Sequence, residues 1–321
     1  MISDNLIRNQ INNTLQSTNI EGLGEKFEGK VRDNYRNSNG MVIVTTDRIS
    51  AFDRVLGTIP FKGQILNQLA AFWFDQTKGI VDNHLIDMPD PNVMVVRECE
   101  SIPVEMVVRG YITGVTKTSA WYNYSSGVRN FCGNVLPEGL KKDQKFDHPI
   151  ITPTTKTEKH DRSLSREEII KEGLVDADLF DRMAEISLKL FDAGTRIAAN
   201  HGLILADTKY EFGLLDGKIV LIDEIHTPDS SRFWFMDTYQ QLFDEGKEQR
   251  KLDKEYVRTW LAGKGFLGDG DIPAIPDEVK IEAAKRYMQA YELITGRVFE
   301  AVPGNPAGRI ISNLKTKGVL M

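Results

Sequence analysis

The chain has 321 residues, which is about two domains at roughly 150 residues each, and 41% hydrophobic with 27% charged residues is a globular balance. A net charge of −6 excludes a broad basic field for wrapping nucleic acid. Two cysteines, Cys99 and Cys132, read as idle thiols of a reducing compartment. MISDNLIRNQINNTL lacks a signal-peptide core, and no apolar run approaches the roughly 20 residues needed to span a bilayer. A soluble cytoplasmic protein without nucleic-acid or membrane partners is expected.

In chain order, residues 25–46 predict a hairpin. Phe27, Val31 and Tyr35 punctuate one polar strand, MVIVTT (41–46) is the next, and Asn39-Gly40 is the turn. Ile65, Leu66, Leu69, Phe72 and Trp73 have helical spacing. VMVVR (93–97) and VEMVVR (104–109) read as a second strand pair joined around Pro103, ending a β-rich lobe (1–110). Residues 125–165, rich in Gly, Pro, Asn and Thr, predict a long surface excursion. A helix then carries Leu179, Met183, Ile186, Leu190 and Ile197, with Gly202 as its C-cap. LILADTKYEFGLL and KIVLIDE follow as strands around Asp216-Gly217, and the remainder reads as mostly helical, including 277–295. The fold class is α+β, with 111–321 as a larger mixed lobe.

Three segments are candidates for chemistry. In Glu28-Gly29-Lys30-Val31-Arg32-Asp33, a glycine allows close backbone approach to phosphate, and Lys30 and Arg32 alternate onto one strand face. A basic surface strand is the plainer reading. In Asp207-Thr208-Lys209-Tyr210-Glu211 and Ile222-Asp223-Glu224, ionisable groups interrupt apolar strands. Buried charge needs partners, so either a Lys–Glu pair forms there or Glu211 and Asp223 hold Mg²⁺ beside Lys209. A two-residue turn at Asp216-Gly217 would pair Glu211 with Ile222 and send Asp223 to the other face. The metal reading therefore calls for a glycine bulge or a bend near Gly213. In Thr227-Pro228-Asp229-Ser230-Ser231-Arg232, a guanidinium beside two hydroxyls suits phosphate or carboxylate, and a Pro-led turn with Arg232 stacked on Trp234 is the alternative. Asp47, Arg48, Asp53 and Arg54, and Lys156, Lys159, His160, Asp161 and Arg162, are further charged clusters. His84, His148, His201 and His226 read as ordinary histidines.

Taken in order, GKVRDNY, TTDRISAFDRVLGTIPFKG, IPVEMVVRGYITG, TPTTKTEKHD, LADTKYEFG and VLIDEIHTPDSSRFW resemble the SAICAR synthetase family, in its longer, fungal-type form. The resemblance implies a two-lobed ATP-binding fold similar to the protein kinase/ATP-grasp core. It implies an ATP-dependent carbon–nitrogen ligase joining CAIR and L-aspartate to give SAICAR, ADP and phosphate, with Mg²⁺ as cofactor and a monomeric state. Lys30, Val31 and Arg32 would fall in a phosphate-covering loop. Glu105 and Val107 would lie on the segment joining the lobes, beside the adenine. Lys209 would touch phosphate, with Glu211 and Asp223 on Mg²⁺. Arg109 and Arg232 would grip the ribotide phosphate, and Ser231 would also bind substrate. Asp47, Asp53, Lys156, His160 and Asp161 would line the substrate side, where Asp47, Asp53 or Asp161 could orient aspartate or accept its ammonium proton. The family has a serine after the RGYITG-like stretch, and this chain has Val115, so Thr113, Thr116 or Thr118 would have to replace it. A small-molecule kinase with a hydroxyl acceptor and a non-enzymatic nucleotide-binding regulator are the competing readings.

Overall fold

The structure is a computed structural model that describes residues 2–38, 40–52, 54–156, 161–252 and 255–321. In chain order the first elements are α1 (Asp4–Gln10), β1 (Glu25–Glu28), β2 (Arg32–Asn37), β3 (Gly40–Thr45), β4 (Arg48–Ala51), β5 (Arg54–Thr58) and α2 (Lys62–Thr77). Next are β6 (Leu85–Asp90), β7 (Val93–Val96), β8 (Glu100–Tyr111), α3 (Ala120–Ser125), β9 (Asn130–Phe131), β10 (Asn134–Val135), β11 (Lys145–Ile151) and β12 (Thr154–Thr155). Then come α4 (Arg166–Lys171), α5 (Ala177–Asn200), β13 (Leu203–Leu215), β14 (Lys218–Ile222), β15 (Ser231–Phe235), α6 (Met236–Asp244), α7 (Glu255–Gly263), α8 (Asp277–Thr295) and α9 (Pro306–Thr316). The chain is a mixed α+β protein. None of its described helices is long and apolar enough to cross a membrane.

Two compact units form, one of residues 1–72, 84–98 and 253–321, the other of 73–83 and 99–252. This division differs from the expected 1–110 and 111–321. In the first unit the sheet order is β1–β2–β3–β7–β6. Its apolar face, with Tyr35, Val42, Val44 and Val93, needs a cover, and Ile310 and Leu314 of α9 supply it. Arg309 fastens that helix by donating to both Asp90 oxygens, at 2.9 and 3.1 Å. The C-terminal helix is therefore part of the first unit because the sheet's exposed apolar side chains would otherwise face water.

In the second unit β8 and β13 lie side by side at the centre, β11 and β12 flank β8, and β14 and β15 pair with opposite halves of β13. The expected pairing of 93–97 with 104–109 does not form. β7 pairs with β3 and β6, and β8 pairs with β13. Pro103, which has no N–H to give, lies where the β8–β13 ladder slips between Glu211 and Gly213. Residues 125–165 are more than a surface excursion, since they return β11 and β12 to β8 and bury Phe131, Leu136 and Phe146.

Helix α5 starts at Asp176, whose carboxylate accepts the Leu179 N–H at 2.8 Å, and ends before Gly202 at φ 72°. Its buried face is Phe180, Met183, Ser187, Leu190, Phe191, Gly194 and Ala198, slightly rotated from the expected stripe. The helix packs closely on β8, and a Cβ at Gly110 would come within 3.1 Å of the Phe191 ring. One sheet face is thus committed to packing. Each fully buried Leu or Phe there contributes about 1.5–3 kcal/mol.

Candidate functional site

Side chains alternate along a strand, so Asp207, Lys209 and Glu211 of β13 share a face. Register extends that face sideways. Asp207 stands opposite Arg109 on β8 and Arg232 on β15, and Glu211 stands opposite Glu105. Two acids directly across a ladder repel. Lys209 resolves this by donating to Glu105 at 2.7 Å and to Glu211 at 2.9 Å. Lys156, just beyond β12, donates to the other Glu211 oxygen, and Thr154 donates to Glu105 at 3.0 Å.

The charge states follow. Burial alone would raise the Glu211 pKa, but the Lys209 and Lys156 ammoniums hold it well below the usual carboxylate range. Burial raises that of Glu105, against the pull of Lys209. Burial would lower the Lys209 pKa, yet Glu211, Glu105 and Asp223 drive it well above the usual lysine value. Lys156 is raised in the same way, with Glu211 and Asp223 outweighing burial.

Asp223 acts on this cluster without the glycine bulge, the first of the two routes expected. The Asp216-Gly217 turn is the plain two-residue type, with Leu215 opposite Lys218 and Glu211 opposite Ile222, so no bulge corrects the register. Instead β14 stops at Ile222, and Asp223 takes left-handed backbone at φ 65°, which redirects its side chain. Its charge acts on both Lys209 and Lys156. Among the described residues no group of three His, Cys, Asp or Glu is arranged to hold a metal. Mg²⁺ needs only one or two carboxylates when phosphate and water complete its shell. Ionised Glu211 with Asp223 fits that requirement.

Four residues from Glu211, or about 13 Å at 3.3 Å per residue, the face changes sign. Asp207 accepts from Arg109 at 3.0 Å and from Arg232. Arg109 is buried and also donates to Thr152 at 2.7 Å and to the Thr118 carbonyl at 2.8 Å. Burial pulls its pKa down, with Asp207 opposing. Ser231 faces the other way, buried and sharing a 2.7 Å hydrogen bond with Thr208.

Glu105 and Val107 do not lie on a segment joining the units. The chain passes from one unit to the other after residues 72, 83, 98 and 252, and Glu105 and Val107 both sit inside the sheet with strands or strand-end bonds on either side. Asp161 is exposed and adds to the raised pKa of Glu105. Asp53 and His160 lie outside the described residues.

In the first unit, the one polar strand expected to carry Phe27, Val31 and Tyr35 is two strands. Lys30 sits in the turn between β1 and β2, so it does not alternate with Arg32, which begins β2. Arg48 fixes this turn by donating to the carbonyls of Gly29, Lys30 and Arg32 at 2.9, 3.0 and 3.1 Å. The Val31 carbonyl accepts from Thr46. Lys30 is left on an exposed, backbone-clamped loop. Asp47 is buried with its oxygens taken by the Leu15 and Gly63 N–H groups at 2.7 and 2.8 Å, and burial pushes its pKa up to about 6.

The SAICAR synthetase family pattern matches residues 25–269. A Legionella pneumophila (strain Paris) protein named phosphoribosylaminoimidazole-succinocarboxamide synthase is 49% identical over 297 residues, covering 91% of this chain and 95% of its own. The chain belongs to the SAICAR synthetase family. Among solved structures, a SAICAR synthase from Saccharomyces cerevisiae complexed with SAICAR has a TM-score of 0.79 at 34% identity, covering 90% of this chain and 100% of that one. A SAICAR synthetase in complex with ADP has a TM-score of 0.65 at 26% identity, covering 86% and 100%.

Beside Val115, where a family serine was expected, the structure places a buried hydroxyl that sequence reading overlooked, Ser119. Val115 is 60% exposed. The chain loops out at 115–118 and returns Ser119 to Gly114, where a Cβ would meet the Ser119 Oγ at 2.4 Å and Arg232 Nη2 at 3.2 Å. Ser119 is buried, and its hydroxyl bonds Thr116 at 2.7 Å. The Ser119-Ala120-Trp121 run after RGYITG-VTKT was the available signal. Arg48 and Asp207, seen only as members of charged stretches, were likewise missed as organisers.

Proposed function

We propose that the polar face of β8, β13 and β15 is the working surface of this ligase. The chain is an ATP-dependent carbon–nitrogen ligase of purine biosynthesis that condenses CAIR with L-aspartate. The observation that carries the site reading is one strand with a Lys–Glu–Asp cluster at one end and an arginine pair at the other.

A carboxylate is inert toward amines because its leaving group would be oxide. Transfer of the γ-phosphoryl of ATP to the CAIR carboxylate gives an acyl phosphate and ADP. The aspartate amine then attacks that carbonyl, the C–N bond forms, phosphate leaves, and the amine proton passes to a base. Both steps concentrate negative charge on phosphoryl oxygens, so cations and alignment dominate the catalysis. Lys209 and Lys156 would supply cations from this face. Glu211 and Asp223 would hold Mg²⁺, which neutralises phosphate charge when bound. Arg109 and Arg232, with Ser119 rather than Ser231, would hold the ribotide phosphate. Asp161, which is exposed, is the remaining described candidate for orienting aspartate, since Asp47 is buried against the backbone N–H groups of Leu15 and Gly63. Kinship with the protein kinase/ATP-grasp core, a lobe built on the β1–β3 meander, and a monomeric cytoplasmic state belong to this proposal.

The test is to mix purified protein with ATP, Mg²⁺, CAIR and aspartate, omitting each in turn. SAICAR absorbance is expected only in the complete mixture. Phosphoryl transfer that proceeds at full rate without aspartate would instead identify a kinase.

A further inference from the structure

Loops between strands usually run over the surface, because buried backbone must find hydrogen-bond partners. The segment joining β14 to β15 is different. Residues 224–228 are all buried, and the chain bends through two left-handed non-glycine residues, Asp223 at φ 65° and His226 at φ 50°. Such backbone persists only where its surroundings hold it.

The holding group is a histidine first read as ordinary. His226 Nε2 shares a 2.6 Å hydrogen bond with the hydroxyl of Tyr210, the residue between Lys209 and Glu211 that faces the opposite side of β13. The ring meets Trp73 edge-on, with centroids 4.6 Å apart. It also lies directly on Gly194 of α5, where an added Cβ would come within 2.4 Å of Cε1 and 2.8 Å of Nδ1. Among the described residues Nδ1 has no hydrogen-bond partner, so Tyr210 is the ring's polar tie. Burial holds the imidazole pKa down at about 3, so the ring stays neutral.

We infer that His226, pinned between Tyr210 and Gly194, is a positioning residue that sets the left-handed turn at Asp223 and so delivers that carboxylate to Glu211 and Lys209. The Tyr210 tie also couples the turn to the strand carrying those two residues. The inference rests on the reading of Glu211 and Asp223 as a divalent-ion pair. His226 touches neither nucleotide nor reacting atoms.

The experiment uses the full chain and titrates Mn²⁺ in the presence of ADP, following free Mn²⁺ by electron paramagnetic resonance. Asp223→Asn is the reference for loss of the carboxylate. Groups that orient metal ligands typically contribute about 10–100-fold to affinity, so His226→Leu and Tyr210→Phe should each weaken Mn²⁺ by about tenfold with the KM for aspartate changed less than about twofold. His226→Gln, whose amide can still reach the Tyr210 hydroxyl, should recover most of the affinity. Gly194→Ala removes no polar group and favours the helix, yet should weaken Mn²⁺ as His226→Leu does. A folded His226→Leu variant with wild-type Mn²⁺ affinity, beside a weakened Asp223→Asn, overturns the inference alone. Wild-type affinity in Asp223→Asn overturns the ion-pair reading as well. If His226→Leu fails to fold, unchanged affinity in both Tyr210→Phe and Gly194→Ala overturns the inference.

Discussion

Asp207→Asn tests the arginine pair with almost no change in shape. The wild-type carboxylate has a side chain 6% exposed, between Arg109 at 5% and Arg232 at 26%. Removing its charge leaves two guanidiniums flanking a neutral amide. Breaking a buried pair by removing one partner costs about 3–5 kcal/mol. Two features favour the lower end: Arg109 keeps its bonds to Thr152 and the Thr118 carbonyl, and the asparagine oxygen can still accept one N–H. The expected loss is about 3 kcal/mol, a large share of the 5–15 kcal/mol typical of a folded domain. Urea unfolding should show a lower midpoint at unchanged slope. Adding Arg232→Met in the same background should recover part of the loss, because it removes one of the two cations that face the neutralised side chain. A loss under about 1 kcal/mol, or additive costs in the double variant, would refute the reasoning.

Glu211→Gln should lower kcat by about 10²–10³-fold, the scale for losing a preorganised charge. Its stability should fall by only about 1–2 kcal/mol, since Lys209 keeps Glu105 and the side chains of Lys209 and Lys156, 33% and 46% exposed, reach solvent. A variant losing stability without kcat would contradict the role. Asp47 carries a pH signature: its folded pKa of about 6 lies above the ordinary 3.8, so the native state holds the extra proton between those values. Its contribution is therefore largest below pH 4 and falls by about 3 kcal/mol as pH rises through 6. The destabilisation of Asp47→Asn, measured by denaturant titration, should accordingly be larger at pH 4 than at pH 7, and a pH-independent difference would exclude the assignment. Ser119→Ala should raise the KM for CAIR by about 5–30-fold, the equivalent of about 1–2 kcal/mol, while Val115→Ser leaves it unchanged. The reverse pattern in steady-state kinetics would return the missing hydroxyl to position 115.

Local rules carried far. The period-2 alternation of Asp207, Lys209 and Glu211, the Asp216-Gly217 turn, and α5 with its Gly202 stop all depend on residues a few positions apart, so they are legible in the chain itself. The ordered motifs likewise point to the family before any coordinates. Partner choice is different in kind. That β8 pairs with β13 rather than with β7, that α9 closes the first sheet, and that Arg109 and Arg232 converge on Asp207 depend on burial summed over whole faces. Asp223 is the sharpest case. Strand alternation alone sends it away from Glu211, and a left-handed turn held by packing from α5 and β13 brings it back, because tertiary contacts can hold a backbone conformation that local preference disfavours.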